Sequence, residues 1–220
     1  MSFPNVVIAK NRKKMFIGTF SSYPGTRHFE EIVKVVEGRE VREWSPQRSK
    51  IAAAMAKGIT QLGIKEGGVV LYLGASHGYT ASFVSDMIGK EGAVFCLDHA
   101  PRVVRDLVFV CEKRSNMIPI LGDAYLPDSY GLFVPVVDVV VQDIAQRDQG
   151  EIFLKNCARY LKHGGFGILS VKARSVDVSK RPQEVFKEVR ALLEKEMIVA
   201  DYRELGPFEK DHCLFVCKKR

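Results

Sequence analysis

Four residues give this chain the means to move a proton: two lysines, Lys50 and Lys172, a carboxylate, Asp143, and an imidazole, His212. They stand far apart, in the stretches QRSKIAAAM, LSVKARS, VVQDIAQ and EKDHCLF, so only a fold that gathers them gives them joint chemistry. Gathered, they suit the removal of a proton from a hydroxyl that is a poor nucleophile at neutral pH. A neighbouring cation makes an ammonium easier to deprotonate, and a carboxylate orients the amine that results. Lys172 is the expected base. Lys50 and His212 are expected to position the acceptor and Asp143 to hold the lysines in register, with most of the rate gain coming from alignment of the reacting atoms. Singly, each residue has a plainer reading: a lysine at a strand end snorkels to solvent, and a histidine beside Asp211 bonds within its own turn.

A second set of residues points to a ligand. LYLGASHGYT, residues 71–80, is an apolar run that ends in a glycine turn before a helical pattern begins. Gly74 and Gly78 allow a sharp bend and a close backbone approach, and Thr80 offers a hydroxyl at the helix start. Carboxylates follow at the ends of the next apolar runs, Asp98 in FCLD, Asp123 in LGDA and Asp143 in VVQD. Asp98 falls about 20 residues past the turn, where a carboxylate accepts the two hydroxyls of a nucleoside ribose. Asp123 is placed for an adenine amino group and Asp143 for the reactive end of the ligand. The turn lacks the G-x-G-x-x-G spacing of dinucleotide binders.

The elements that must position these groups read as follows. Residues 1–43 carry short strand-like runs, NVVIA, KMFIGTF and EIVKVVEGREVREW, broken by turn residues, and suggest a small β-rich N-terminal domain. SPQRSKIAAAMAKGI then reads as a helix capped by Ser45 with Pro46 at its first position, opening a main domain over residues 44–220. From Gly67 onward apolar strands alternate with amphipathic helices, the pattern of a parallel sheet covered on both faces. MIVADYREL and HCLFVCKK are joined only by GPFEKD, too short for a crossover, and so form an antiparallel hairpin. Five parallel strands closed by such a hairpin make the α/β, Rossmann-like sheet of class I S-adenosylmethionine-dependent methyltransferases. In that topology the first helix begins, the parallel strands end and the last strand starts at one sheet edge, which gathers Lys50, Asp143, Lys172 and His212.

Composition bounds the rest. The 220 residues carry a formal charge of +7, with basic residues spread over Lys10, Arg12, Lys13 and Lys14, Arg102 and Arg105, Lys113 and Arg114, Arg174, Lys180 and Arg181, and Lys218 to Arg220. A diffuse basic surface favours a polyanionic partner through nonspecific backbone contacts. No RNA-recognition module such as an aromatic strand or a GXXG loop is present. Five cysteines without a CxxC pair read as reduced, buried small hydrophobes and give no metal site. No apolar run is long enough to span a bilayer and no secretory signal opens the chain, so a cytosolic, membrane-free protein is expected.

LYLGASHGYTASFVSD, PILGDAYLPDSY, VVVQDIAQRDQ, ILSVKARSVDV and PFEKDHCLFV, with WSPQRSKIAAAM upstream, resemble the fibrillarin family, ribose 2'-O-methyltransferases of box C/D ribonucleoproteins. The likeness spans about residues 42–217, with six motifs in the family's order. It implies a catalytic tetrad at Lys50, Asp143, Lys172 and His212, and S-adenosyl-L-methionine contacts at Gly74, Thr80, Asp98, His99, Asp123, Ala124, Asp143 and Gln146. It implies as partners a box C/D guide RNA with target rRNA or tRNA, a Nop-domain scaffold protein and a kink-turn-binding ribosomal-type protein. No Gly/Arg-rich nucleolar tail is present, which implies an archaeal form acting in the cytoplasm. The sequence departs from the family at Tyr79, where a second threonine is usual, at Asp98 and His99, where glutamate and an aromatic are usual, and at Gln142. These departures keep open a noncatalytic subunit that retains the fold. A nicotinamide-dependent oxidoreductase would share the glycine turn and Asp98 but leaves the closing hairpin and the lysines unexplained.

Overall fold

The computed structural model describes residues 3–11 and 14–220, so Arg12 and Lys13 of the N-terminal basic run lie outside the described residues. Strands β1 (Val6–Asn11), β2 (Lys14–Phe20), β3 (Val33–Val36) and β4 (Arg39–Glu43) pair antiparallel in the order β1-β2-β4-β3. Glu37 and Gly38 join β3 to β4 with φ of 52° and 74°. Two central residues at positive φ match the twist of a two-residue hairpin.

The remaining elements are α1 (Lys50–Ala56), β5 (Val69–Leu73), α2 (Tyr79–Ile88), β6 (Ala93–Asp98), α3 (Pro101–Cys111), β7 (Met117–Leu121), β8 (Val137–Gln142), α4 (Gln149–Tyr160), β9 (Leu161–Lys172), α5 (Ala173–Val176), α6 (Pro182–Glu196), β10 (Met197–Glu204) and β11 (His212–Lys219). A seven-stranded sheet runs β10-β11-β9-β8-β5-β6-β7. Its five inner-numbered strands, β5 to β9, are parallel, and β11 and β10 close it antiparallel beside β9. This is the expected α/β sheet with its closing hairpin. Side-chain alternation divides its core. Val70, Tyr72, Val94, Cys96 and Ile168 face a cluster with α1 and α2, while Leu71, Leu73, Leu97, Leu169 and Phe215 face one with α4 and α6.

One local expectation is corrected. The first helix is capped by Ser49, not Ser45, and begins at Lys50 rather than Pro46. Ser45 instead closes a turn: its Oγ accepts the Gln47 N–H at 3.3 Å and its carbonyl accepts the Arg48 N–H at 3.1 Å. Ser49, in extended backbone at φ −150°, then accepts from the Ala52 N–H with its side chain, satisfying one of the free donors of the helix start.

The small sheet is joined to the large one through buried charge. Arg42 of β4 donates to Glu31 at 2.7 Å and to Asp86 of α2 at 2.7 Å, and Arg114 donates to the other Asp86 oxygen at 2.8 Å. Thr19 Oγ1 and the Ser22 N–H add donors to Asp86 at 2.9 and 3.0 Å. Trp44 stacks on Phe83 beside this cluster with ring centroids 4.9 Å apart. Arg114 therefore leaves the expected basic surface, since it is fully buried. Arg105, Arg174 and Lys180 are also matched, by Asp106, Asp211 and Glu188. All five cysteines are free and buried, and burial pushes the Cys111 and Cys217 thiols to about 12, which leaves them unreactive.

Candidate active site

The carboxyl edge of the large sheet carries the candidate residues. Strand β5 runs into Gly74, at φ 77°, where an added Cβ would lie 2.4 Å from the Asp143 carbonyl oxygen. Only glycine lets the first crossover turn lie this close to the end of β8. The Gly74 and Ala75 N–H groups both donate to the Leu97 carbonyl, at 2.9 and 3.0 Å, which ties the turn to β6. Gly78 then opens α2 at φ 90°.

Asp98 ends β6 with its side chain only 12% exposed. One oxygen accepts the Ser76 N–H at 2.9 Å and the other the Ala100 N–H at 3.1 Å. A carboxylate offers about four acceptor sites, so two stay free for vicinal hydroxyls. His99 beside it is mostly exposed and presents its ring to solvent. Asp123, past β7, accepts the Tyr125 N–H at 2.9 Å and so closes the turn that carries Ala124. Gly74, Asp98, His99, Asp123, Ala124, Asp143 and Gln146 all line one cleft of ≈ 410 Å³, a volume in the range of small-molecule sites.

Thr80 lies apart from that group. It lines an adjoining cleft of ≈ 300 Å³ on the other side of Gly74 and Asp143, with Tyr72, Tyr79 and Arg48. Its Oγ1 donates to Ser49 Oγ at 3.2 Å. Burial raises the Tyr72 hydroxyl well above its ordinary value, with the Asp143 charge adding to the effect and a hydrogen bond with Thr80 opposing it. A line of hydroxyls thus runs from the glycine turn to the residue that caps the Lys50 helix. Tyr79, the residue that departs from the family, is held on three sides. Its hydroxyl accepts the Ser45 N–H at 3.3 Å, Arg48 lies 4.2 Å over its ring, and Phe29 meets it edge-on.

The four proton-handling candidates fall into two pairs. Lys50 Nζ donates to Asp143 Oδ2 at 3.1 Å, with the two side chains 22% and 25% exposed. Lys172 and His212 are directly opposed across the antiparallel pairing of β9 and β11. His212 Nδ1 is 2.6 Å from the Lys210 carbonyl; a carbonyl only accepts, so Nδ1 carries a proton there. Lys172 is exposed, and among the described residues its ammonium forms no ion pair. Strand β8, ending one residue before Asp143, lies beside β9, so both pairs share one edge.

Sequence reasoning missed the residues that hold these groups. Ser49, Tyr72 and Gln149 are all buried and bond to candidate residues or their neighbours. Only Ser49 carried a local signal, as a small hydroxyl before an alanine-rich run.

The geometry has close parallels among known proteins. The fibrillarin family model matches residues 1–220. A fibrillarin-like rRNA/tRNA 2'-O-methyltransferase of Thermococcus gammatolerans is 46% identical over 218 residues, 99% of this chain and 96% of that protein. The crystal structure of Aeropyrum pernix fibrillarin with natively bound S-adenosyl-L-methionine superposes with a TM-score of 0.88 at 39% identity, covering 97% of this chain and 94% of that one. The fibrillarin of a fibrillarin/Nop5p complex superposes at 0.86 and 35% identity, covering 98% of each chain. A full-length family match and close to half the residues in common leave one assignment: this chain belongs to the fibrillarin family.

Proposed function

We propose that this protein transfers a methyl group from S-adenosyl-L-methionine to a ribose 2'-hydroxyl of rRNA or tRNA. The observation that carries the reading is the shared edge: the Lys50–Asp143 pair and the Lys172–His212 pair stand at the sheet edge where Asp143, with Asp98 and Asp123, lines a cleft. The relative named as an rRNA/tRNA 2'-O-methyltransferase and the relative with S-adenosyl-L-methionine bound support it.

The residues fit the donor. Asp98 keeps acceptor sites for the ribose hydroxyls and Asp123 keeps an oxygen for the adenine amino group, while glycine at 74 lets the turn close against the end of β8. When bound, S-adenosyl-L-methionine supplies a methyl group made electrophilic by its sulfonium. Gly74, Asp98, His99, Asp123, Ala124, Asp143 and Gln146 would hold it, with Thr80 on the adjoining side. Lys172 takes the proton of the 2'-hydroxyl through its amine. Asp143, held by Lys50, keeps the two lysines in register, while His212 positions the sugar and phosphate of the acceptor.

Target choice in this reading lies outside the chain. A Nop-domain protein is the scaffold, in keeping with the relative crystallised with Nop5p, and a box C/D guide RNA and a kink-turn-binding protein complete the particle. Residues 1–43 form a small β-rich N-terminal unit beside a catalytic unit of residues 44–220 in this reading. Among the described residues no helix is long and apolar enough to cross a membrane, and a cytoplasmic site of action fits the archaeal relatives.

The test is methylation of a guide-matched RNA by the reconstituted particle. Lys172→Ala lowers the rate by about 10²- to 10⁴-fold, the usual contribution of a general base, while calorimetry shows unchanged affinity for S-adenosyl-L-methionine. A wild-type rate in that variant removes the base assignment. A fully assembled wild-type particle that methylates nothing supports the noncatalytic reading instead.

A further inference from the structure

The first residue of α4, Gln149, is fully buried and has its whole side chain engaged at the site. Its Oε1 accepts the Lys172 N–H at 3.2 Å, and its Nε2 donates to the Gln146 carbonyl at 2.8 Å. Its own carbonyl accepts Nε2 of Gln142, also fully buried, at 2.6 Å. One carboxamide therefore ties the backbone beneath Lys172 to the loop that presents Asp143 and Gln146.

The need for such a tie follows from the sheet. The ladder between β8 and β9 stops at Gln142 and Leu169, because β8 ends there. Lys172 lies three residues farther along β9, beyond the reach of any β8 partner. A buried N–H left unpaired is costly, and a strand end without cross-strand bonds frays. On the opposite side the His212 pairing and the Ala173 N–H donating to the Asp211 carbonyl at 3.0 Å fix the strand. On the β8 side that constraint comes from a side chain.

We infer that Gln149 is a positioning residue for Lys172, its buried carboxamide fixing the backbone from which the amine projects and registering it against the Asp143–Gln146 loop. The inference rests on the proposed role of Lys172. A rigid backbone matters because the amine must meet one hydroxyl in a narrow geometry, and a displacement on the order of 1 Å costs about 10²-fold in rate.

The experiment compares single-turnover methylation and substrate affinities in the reconstituted particle for Gln149→Met, Gln149→Glu, Gln149→Asn and Lys172→Ala. Gln149→Met keeps the length of the side chain and removes both bonds, so kcat falls by about 10- to 100-fold with KM for the RNA unchanged. Gln149→Glu keeps the acceptor for the Lys172 N–H and recovers most of kcat, its lost donor at Gln146 appearing as a raised KM for S-adenosyl-L-methionine. Gln149→Asn, one methylene short of Lys172, gives the kcat loss again and decides the matter where the methionine variant does not fold. Thermal unfolding of each variant separates a misplaced base from a broken fold. Folded Met and Asn variants with wild-type kcat, or a Glu variant no better than Met, overturn the inference. A wild-type rate in Lys172→Ala overturns the base assignment instead, by a different measurement.

Discussion

Helix α2 touches two charged clusters that differ in kind. Toward its C-terminal end, Asp86 joins Arg42, Glu31 and Arg114, and the side chains are 0–1% exposed. At its start, the hydroxyl of Thr80 leads through Ser49 to Lys50, whose partner Asp143 is a quarter exposed, with Lys172 and His212 on the same edge. The first cluster sets two guanidiniums against two carboxylates and leaves Asp86 with donors on both oxygens. The second sets two ammoniums and an imidazole beside Asp143 and Glu209, the latter 4.0 Å from His212 Nδ1, and leaves Lys172 in no ion pair among the described residues. An arginine holds its proton at any physiological pH, whereas a lysine can give it up. A matched, dry set of permanent charges fixes how two sheets pack. An open set of titratable ones is the set proposed to handle the proton.

Breaking the dry cluster has the largest expected effect on folding. Asp86→Ala strands the buried Arg114 guanidinium, leaves Arg42 with Glu31 alone and lowers the unfolding free energy by about 3–5 kcal/mol, read from urea denaturation. Methylation per folded molecule stays near wild type, and a loss well under 1 kcal/mol would show that the cluster is hydrated rather than dry. Gly74→Ala comes next. The left-handed backbone costs a nonglycine residue about 1–3 kcal/mol, and its Cβ meets the Asp143 carbonyl. Calorimetry is expected to show S-adenosyl-L-methionine affinity reduced at least about tenfold, the factor that 1.4 kcal/mol represents. Unchanged affinity would mean that the turn and the end of β8 need not meet.

Acid sharpens the contrast further. Burial alone would raise the Glu31 carboxyl, but the Arg42 guanidinium and the Phe29 N–H hold it below its ordinary value of 4.5. A carboxyl lowered in the folded state adds stability that is fully present above 4.5 and disappears as pH falls through the folded value. Glu31→Gln therefore flattens the acid side of the stability curve, measured by denaturation at a series of pH values below 5. An identical acid limb in wild type and variant would locate the acid-sensitive charge elsewhere.

The sheet was legible because its strands are apolar on both faces and its helices carry their polar residues at helical spacing. The shared edge followed from topology alone, and it is where Lys50, Asp143, Lys172 and His212 stand. What escaped was held by contacts between distant residues. Arg42 sits in the strand sequence REVRE, which reads as a solvent-facing charged strand until Glu31 and Asp86 come to meet it. Arg114 looked like surface charge for the same reason. Ser45 is the expected cap, and it fails because it spends its hydroxyl on Gln47 while Ser49 bonds the helix start. Gln149 gave no signal, since a glutamine at a helix start is ordinary and its value lies in reaching Lys172, 23 residues away.

The smallest effect on folding is expected where the second cluster is broken. Lys50→Met removes one member of an ion pair, as Asp86→Ala does, but the pair keeps contact with water, and exposed pairs contribute about 0–1 kcal/mol. Methionine keeps a side chain of similar length, so the unfolding free energy moves by less than about 1 kcal/mol. Methylation falls all the same, because Asp143 loses its anchor and the second ammonium its neighbour, an effect that single-turnover rates at saturating S-adenosyl-L-methionine isolate from binding. A stability loss comparable to that of Asp86→Ala, with the rate retained in the folded fraction, would make the Lys50–Asp143 pair a structural bond and erase the distinction between the two clusters.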